Sequence, residues 1–223
     1  MSYDSFIAEV NAEFRQEKVL SFWKRYGFLI ITGIIIFVSA VIVYQVYHHM
    51  QMNKAGRVSD TLIESFDLAD SRRFDEAMKQ LEKVKESDFG VYPFLARLRE
   101  ASLLMEQGAA EKSVEVFDVV AADEKAPQIL RKVAQIRAAY ILVDIGTFED
   151  VKKRVGNMAN DIDFMRMSAR EALGLAAYKE NKIDEALYYF RKISEENALE
   201  LKITDRAKIM LEFIQAEGKA NKE

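Results

Sequence analysis

The sequence contains no cysteine and only two histidines among its 223 residues. Without cysteine there is no disulfide framework, no thiol nucleophile and no thiolate metal site. The two histidines, His48 and His49, are adjacent and would point to different faces of a helix, without further ligands nearby. The chain also has no Walker loop, no GxGxxG after a strand, no HExxH and no nucleophile elbow. We therefore expect no enzymatic activity, no metal and no cofactor.

Helix-breaking residues are also scarce. Two prolines and nine glycines, with abundant Ala, Leu, Glu and Lys, predict an all-α chain. The 32 Lys and Arg residues are balanced by 36 Asp and Glu residues, for a net charge of −4. No long basic run stands out, so the sequence gives no electrostatic support for nucleic-acid binding.

The longest apolar run is Phe28–Val43, and no Asp, Glu, Lys or Arg occurs between Tyr26 and Asn53. As a helix, residues 26–47 would extend ~33 Å, enough to cross the ~30 Å hydrocarbon layer of a bilayer. Aromatic residues flank the run on both sides, as expected at two membrane interfaces. No A-x-A-like cleavage site follows it. The sequence thus predicts a single transmembrane helix, an uncleaved signal anchor, at residues 26–47.

The charges beside this segment predict its orientation. Four basic residues precede it within about fifteen positions, whereas two follow it: Arg15, Lys18, Lys24 and Arg25 against Lys54 and Arg57. The positive-inside rule therefore places the N-terminus in the cytoplasm and the rest of the chain on the other side. Residues 1–25 have an amphipathic helical pattern, with apolar Phe6, Ile7, Val10 and Phe14. This cytoplasmic segment would lie on the membrane surface, dock on a partner or simply lead into the anchor.

The remaining residues, 48–217, contain an internal sequence repeat. Four segments share one frame: an apolar helix, a short break, and a second apolar helix. The breaks fall at Arg72, Gly108, Gly146 and Asn181, which are 36, 38 and 35 residues apart. Gly108, Gly146 and Asn181 suit the left-handed conformation that ends a helix. The only prolines, Pro93 and Pro127, stand where a new helix pair begins, as N1 prolines do.

Small residues recur at fixed distances from each break. They predict the close contact of two antiparallel helices, with a large apolar residue one turn later. Before the breaks they are Ser65, Ala101, Ala139 and Gly174. After the breaks come Ala77, Ser113, Val151 and Ala186, followed by the larger Leu81, Phe117, Val155 and Phe190.

This frame resembles the tetratricopeptide repeat, most clearly at Gly174–Tyr178 followed by Asn181, Ile183, Ala186 and Phe190. Ser113 and Val151 depart from the small Ala of that repeat. The resemblance implies a solenoid of helical hairpins, and the alternative is a plain helical bundle. Residues 199–214 then form a C-terminal capping helix with Leu201, Ile203, Ile209, Leu211 and Ile214 on its apolar face. Residues 218–223 are expected to be disordered.

In tetratricopeptide domains the first helix of each pair lines a protein-binding groove. Carried onto this sequence, the groove would be nearly all apolar, without the charged clamp of the relatives that bind chaperone C-termini. Its residues would be Leu62, Phe66, Ala69, Leu95, Leu98, Met105, Val133, Ile136, Tyr140, Val143, Leu175 and Tyr178. The alternative is that the C-terminal helix fills the groove and these residues are core.

The layout of amphipathic segment, anchor beginning near Trp23–Gly27, and helical repeats resembles the bacterial YfgM-like family. That resemblance implies an ancillary subunit of the SecYEG translocon in the bacterial inner membrane. The repeat domain would be periplasmic and would contact unfolded secretory proteins and periplasmic chaperones. The alternative function is a structural scaffold of an envelope complex that acts by self-association.

Overall fold

The computed structural model describes residues 3–196 and 201–218, and the side chains of residues 23–29, 31–196 and 202–218. This described part of the chain is helical and contains no β-strand. Its helices are α1 (Tyr3–Asp70), α2 (Phe74–Glu86), α3 (Tyr92–Glu106), α4 (Ala110–Ala122), α5 (Gln128–Ile145), α6 (Phe148–Val155), α7 (Arg166–Lys179), α8 (Ile183–Ser194) and α9 (Leu201–Ala216). A short 3-10 helix, Gly156–Ala159, follows α6.

The chain forms two compact units, Met1–Gly56 and Arg57–Glu223. In the first unit the apolar side chains of α1 are exposed, for example Phe28 and Ile36. The part of α1 from Trp23 to Asp70 is long and apolar enough to cross a membrane, with a mean hydropathy of 2.6 in its most apolar window. A signal sequence near the N-terminus would meet the same criterion. The side chains of residues 1–22, which carry the predicted amphipathic pattern, lie outside the described residues, as do residues 219–223 of the predicted disordered tail.

The second unit consists of helical hairpins whose turns lie where the sequence predicts them. The end of α1 pairs with α2, α3 with α4, α5 with α6, and α7 with α8. First helices also contact one another in order, α3 with α5 and α5 with α7, and α9 contacts α7 in the same way. Each of the four predicted breaks falls between the two helices of a hairpin.

Three of the four turns end their first helix in the left-handed conformation. Arg72, Gly108 and Asn181 have φ values of 58°, 79° and 59°. At Gly108, the amide of Ala109 donates to the Leu104 carbonyl at 2.8 Å and that of Gly108 to the Met105 carbonyl at 3.0 Å. These two bonds form the Schellman motif. Arg72 and Asn181 show the same pair of bonds.

The prediction of a left-handed residue at Gly146 is wrong. Gly146 has φ −111° and ψ −164°, an extended conformation. The next helix starts instead with a capping box, in which the Thr147 hydroxyl accepts from the Asp150 amide and Asp150 accepts from the Thr147 amide. A glycine still suits position 146, since a Cβ there would lie 2.8 Å from Cδ2 of Leu142.

Both prolines lie at helix starts, each one residue away from the predicted N1 position. Pro93 stands in the first turn of α3. Pro127 is the residue before α5 and serves as its N-cap, with ψ 137°. The prediction of N1 prolines is therefore wrong at both, because α3 begins one residue before Pro93 and α5 one residue after Pro127.

The small residues of the repeat frame are buried between the paired helices, and two of them show close contacts. The Ser113 hydroxyl of α4 donates to the Ala101 carbonyl of α3 at 2.6 Å. A Cβ on Gly174 of α7 would lie 2.9 Å from Cε1 and Cζ of Phe190 on α8. All the other predicted frame positions are at most 1% exposed: Ser65, Ala77, Leu81, Ala101, Phe117, Ala139, Val151, Val155 and Ala186.

Helix α9 packs against α7 and α8. It buries Thr204, Ala207 and Ile214, whereas Ile209 is 62% exposed. The prediction that Ile209 lies on the packed face is therefore wrong. Ile209 is two residues after Ala207, which places it about 200° around the helix from that contact.

Candidate protein-binding groove

Two adjoining hollows follow the first helices of the first three hairpins. The first, about 750 Å³, is lined by residues of α1, α3 and α5, including Leu62, Phe66, Leu95 and Leu98. The second, about 610 Å³, is lined by α3, α4, α5 and the start of α7, including Met105, Phe117, Ile136 and Tyr140. The two hollows share Ser102, Glu106, Val133 and Arg137. We refer to both together as the groove.

The groove walls are mainly apolar and partly open to solvent. Phe66 and Met105 are 37% and 39% exposed, while Leu62 and Ile136 are buried at its base. Such walls, with a few polar groups between them, are typical of sites that hold a ligand of mixed character.

A third hollow of about 490 Å³ lies beneath α9. Its lining includes Tyr140, Glu171, Leu175 and Arg206. The Glu171 carboxylate is only 4% exposed and accepts two hydrogen bonds from Arg206 of α9, at 2.6 and 2.8 Å. The Tyr140 hydroxyl of α5 donates to the same carboxylate. These bonds connect α5, α7 and α9, so we read this hollow as structural.

Burial and the nearby Glu171 carboxylate raise the pKa of Tyr140 well above its usual value. Its hydroxyl therefore stays protonated in the physiological range and remains a donor. The hydrogen bond from the Arg206 guanidinium to Glu171 raises the pKa of Arg206. Tyr140 and Arg206 thus remain hydrogen-bond donors to Glu171, and these bonds join α5, α7 and α9.

Most of the groove residues proposed from the sequence line these hollows. Leu62, Phe66, Leu95 and Leu98 line the first, Met105 and Ile136 the second, and Val133 both. Tyr140 lines the second and third, and Leu175 the third.

Three of the proposed residues line none of the hollows. Ala69 is buried in the core of the first hairpin, and Val143 is half-buried against the separate core of the later hairpins. The ring of Tyr178 packs edge-on against Phe213 of α9 at 5.9 Å, and its hydroxyl donates to Glu217 at 2.7 Å. Helix α9 therefore covers the C-terminal end of this face, whereas the groove lies on the first three hairpins.

Sequence reasoning missed the charged residues of the groove. Arg99, Glu106, Asp70 and Arg137 stand among its apolar side chains. The helical period of the sequence could have identified the two arginines. Arg99 comes four residues after Leu95, and Arg137 four residues after Val133, so each shares a helix face with a proposed groove residue.

The two arginines of the groove differ in their contacts. The Arg99 guanidinium lies over the Phe66 ring at 5.1 Å and donates to Glu106 at 3.3 Å. It also lies 3.9 Å from Asp70, while its Nε is buried with no hydrogen-bond partner in the described chain. Arg137 is exposed, and no ion pair or hydrogen bond of its side chain occurs among the described residues. Within that same part of the chain, no group of three His, Asp or Glu side chains is placed to hold a metal ion.

No curated protein and no solved structure significantly matches the chain. The sequence model of the tetratricopeptide repeat-like domain matches residues 20–205. Domains of this kind generally bind other proteins rather than catalyse reactions. Since the match covers most of the chain, and the second unit has the expected paired helices, the chain belongs to the tetratricopeptide repeat-like domain family.

Proposed function

We propose that this protein is a membrane-anchored protein-binding module, ancillary to the SecYEG translocon. In this proposal the groove holds apolar segments of unfolded or emerging secretory proteins. The observation that carries it is the groove itself, with exposed Phe66 and Met105 above buried Leu62 and Ile136. Apolar surface left open to water on a soluble domain is typical of an interaction site.

The size of the groove suits weak, reversible binding. Burying one large apolar side chain contributes about 1.5–3 kcal/mol, so two or three such contacts would offset part of the cost of association. Clients held in this way would be released again, as a transient contact during translocation requires.

The proposed location is the bacterial inner membrane, with a cytoplasmic N-terminus and a periplasmic repeat domain. The support is the apolar part of α1 and the larger number of basic residues before it than after it. Contact with SecYEG and with periplasmic chaperones is proposed from the resemblance to the YfgM-like family.

The proposal is tested by crosslinking in native membranes. A photo-reactive residue placed at Met105 of the full-length chain should crosslink to secretory proteins, identified by mass spectrometry. The double variant Phe66→Asp, Met105→Asp should lose client crosslinks from a probe at Ser102 while keeping its helical circular dichroism.

Val119→Asp is the matched control, since Val119 is 57% exposed on α4 and lines neither hollow of the groove. It should retain client crosslinks. Undiminished crosslinks in the folded double variant would show that clients bind elsewhere. Crosslinks solely between copies of this chain would favour the scaffold function instead.

A further inference from the structure

We propose that the groove prefers apolar segments that contain an internal Asp or Glu, and that Arg137 binds that carboxylate. This inference rests on the proposed function, because it specifies which segments the groove selects. It concerns the two hollows on the first three hairpins and not the hollow beneath α9.

Arg137 occupies the junction of the groove. It lines both hollows, it is exposed, and its guanidinium has no ion pair or hydrogen bond among the described residues. A guanidinium presents a planar set of N–H donors that matches the two oxygens of a carboxylate. A ligand carboxylate at this point would therefore gain a bidentate contact without displacing a partner of Arg137.

Among the four charged residues of the groove, Arg137 is the one without an ion pair in the described chain. Arg99 donates to Glu106 at 3.3 Å and lies 3.9 Å from Asp70, so these acidic groups already have a cationic neighbour. One guanidinium thus neighbours both carboxylates, while Arg137 has no anionic partner in the part of the chain that the structure describes. A ligand carboxylate would supply the missing partner of Arg137.

The apolar walls continue on both sides of Arg137. Leu62 and Phe66 belong to the hollow on one side, and Met105 and Ile136 to the hollow on the other. A segment that fills both hollows must pass Arg137 in its middle. The expected carboxylate is accordingly a side chain within the segment, flanked by apolar residues, and not the free C-terminus of a chain.

The test compares two peptides that differ in one group. Both are acetylated and amidated and carry an uncharged dye: Ser-Leu-Phe-Ser-Glu-Ser-Leu-Phe-Ser, and the same peptide with Gln in place of Glu. Their dissociation constants for the full-length protein in lipid nanodiscs of uncharged lipid are measured by fluorescence anisotropy. The wild-type chain should bind the Glu peptide about 5- to 20-fold more tightly than the Gln peptide.

Substitution of Arg137 should remove the preference without removing binding. In Arg137→Gln the two peptides should bind about equally, at the affinity of the wild type for the Gln peptide. Arg137→Glu should reverse the order, so that a Lys version of the peptide binds more tightly than the Glu version. Arg191→Gln, which removes an exposed arginine of α8 outside the groove, should preserve the wild-type ratio.

The outcomes separate this inference from the proposed function. Equal binding of both peptides to the wild type, or a preference that survives in Arg137→Gln, would overturn the role of Arg137 and leave apolar binding intact. If neither peptide binds, the groove is not a client site and both proposals fail.

Discussion

At the scale of single residues, Gly174 marks a close approach between the paired helices α7 and α8. A Cβ there would lie 2.9 Å from two ring carbons of Phe190, and this ring is itself 1% exposed. Gly174→Ala should therefore destabilise the protein by about 1–3 kcal/mol, because neither helix can give way without disturbing the core. Urea unfolding followed by circular dichroism measures the change.

The control for this substitution is Gly56→Ala. Gly56 is also helical, but nothing lies within 4 Å of the position of its Cβ. Alanine is the better helix former, so this variant should be neutral or up to ~1 kcal/mol more stable. Equal destabilisation of both variants would show that Gly174 is not a contact site.

Asp163 forms a largely buried ion pair with Lys132, with side chains 11% and 18% exposed. Burial by itself would raise the pKa of the Asp163 carboxyl. The hydrogen bonds from Lys132 and the Met165 amide, together with nearby positive charges, more than offset burial and lower the pKa below 3.8. The carboxylate thus contributes stability above its unfolded pKa, and this contribution is lost as the pH falls through the lower folded pKa.

Asp163→Asn should consequently cost about 1–3 kcal/mol of unfolding free energy at pH 7, since it leaves Lys132 without its partner. The difference from the wild type should shrink as the pH falls below ~4. Urea unfolding at pH 7, 5 and 3 measures both effects. Asp144→Asn, an exposed carboxyl, should stay within about 0.5 kcal/mol of the wild type at pH 7. A difference that is independent of pH would contradict the role of the Asp163 charge.

At the scale of helices and turns, the first hairpin places an ordinary residue where the second and fourth have Gly108 and Asn181. Arg72 adopts φ 58°, a left-handed conformation that is unfavourable for a residue with a Cβ. Arg72→Gly should relieve this strain and stabilise the protein by about 1 kcal/mol. Asn181→Gly should gain less, because Asn tolerates this conformation better. Thermal unfolding compares the two, and a lower melting temperature for Arg72→Gly would contradict this explanation.

The hairpins were predictable because their signals are local and repeat. Gly108 and Asn181 end helices by their own conformational preferences, and Ser113 and Ala186 mark close contacts by their size. Arg72 has no such preference, so its left-handed turn follows from the surrounding Schellman bonds and not from its side chain. Gly146 was also a correct signal of a turn, but for a different physical reason. Glycine suits this position because a Cβ would be too close to the Leu142 side chain, and not because φ is positive.

The groove was only partly predictable from sequence. The resemblance to tetratricopeptide domains, whose first helices line a groove, identified Phe66, Met105 and Ile136 when it was carried onto this sequence. It could not show that α9 packs over Tyr178, since a repeat frame defines a face of a helix but not what covers it. Because the groove was assumed to be apolar, Arg137 was not proposed as one of its residues.

At the scale of the whole molecule, the charges flanking the apolar part of α1 predict its topology. Four basic residues before it and two after it should leave the repeat domain outside the cytoplasm. A reporter that is active only in the periplasm, fused after Glu223, should therefore be active, and protease added to spheroplasts should digest the domain. Protection of the domain in sealed spheroplasts would reverse the topology and exclude the proposed client binding.

The two hydrophobic clusters of the second unit have a consequence for the order of folding. The smaller cluster joins the end of α1 to α2 and α3 and is complete at Leu103, whereas the larger one extends to Ile214 in α9. At about 5–20 residues per second, synthesis of the intervening chain takes roughly 5–20 s. During that time the first hairpin and α3 have only this smaller cluster as their core. We expect nascent chains halted after Ala122 to be cut readily by protease, and chains that include α9 to resist it. Resistance of the shorter chains would show that the first hairpins fold without the rest. During its own synthesis this protein would therefore be an incompletely folded chain, as are the secretory proteins that it is proposed to bind.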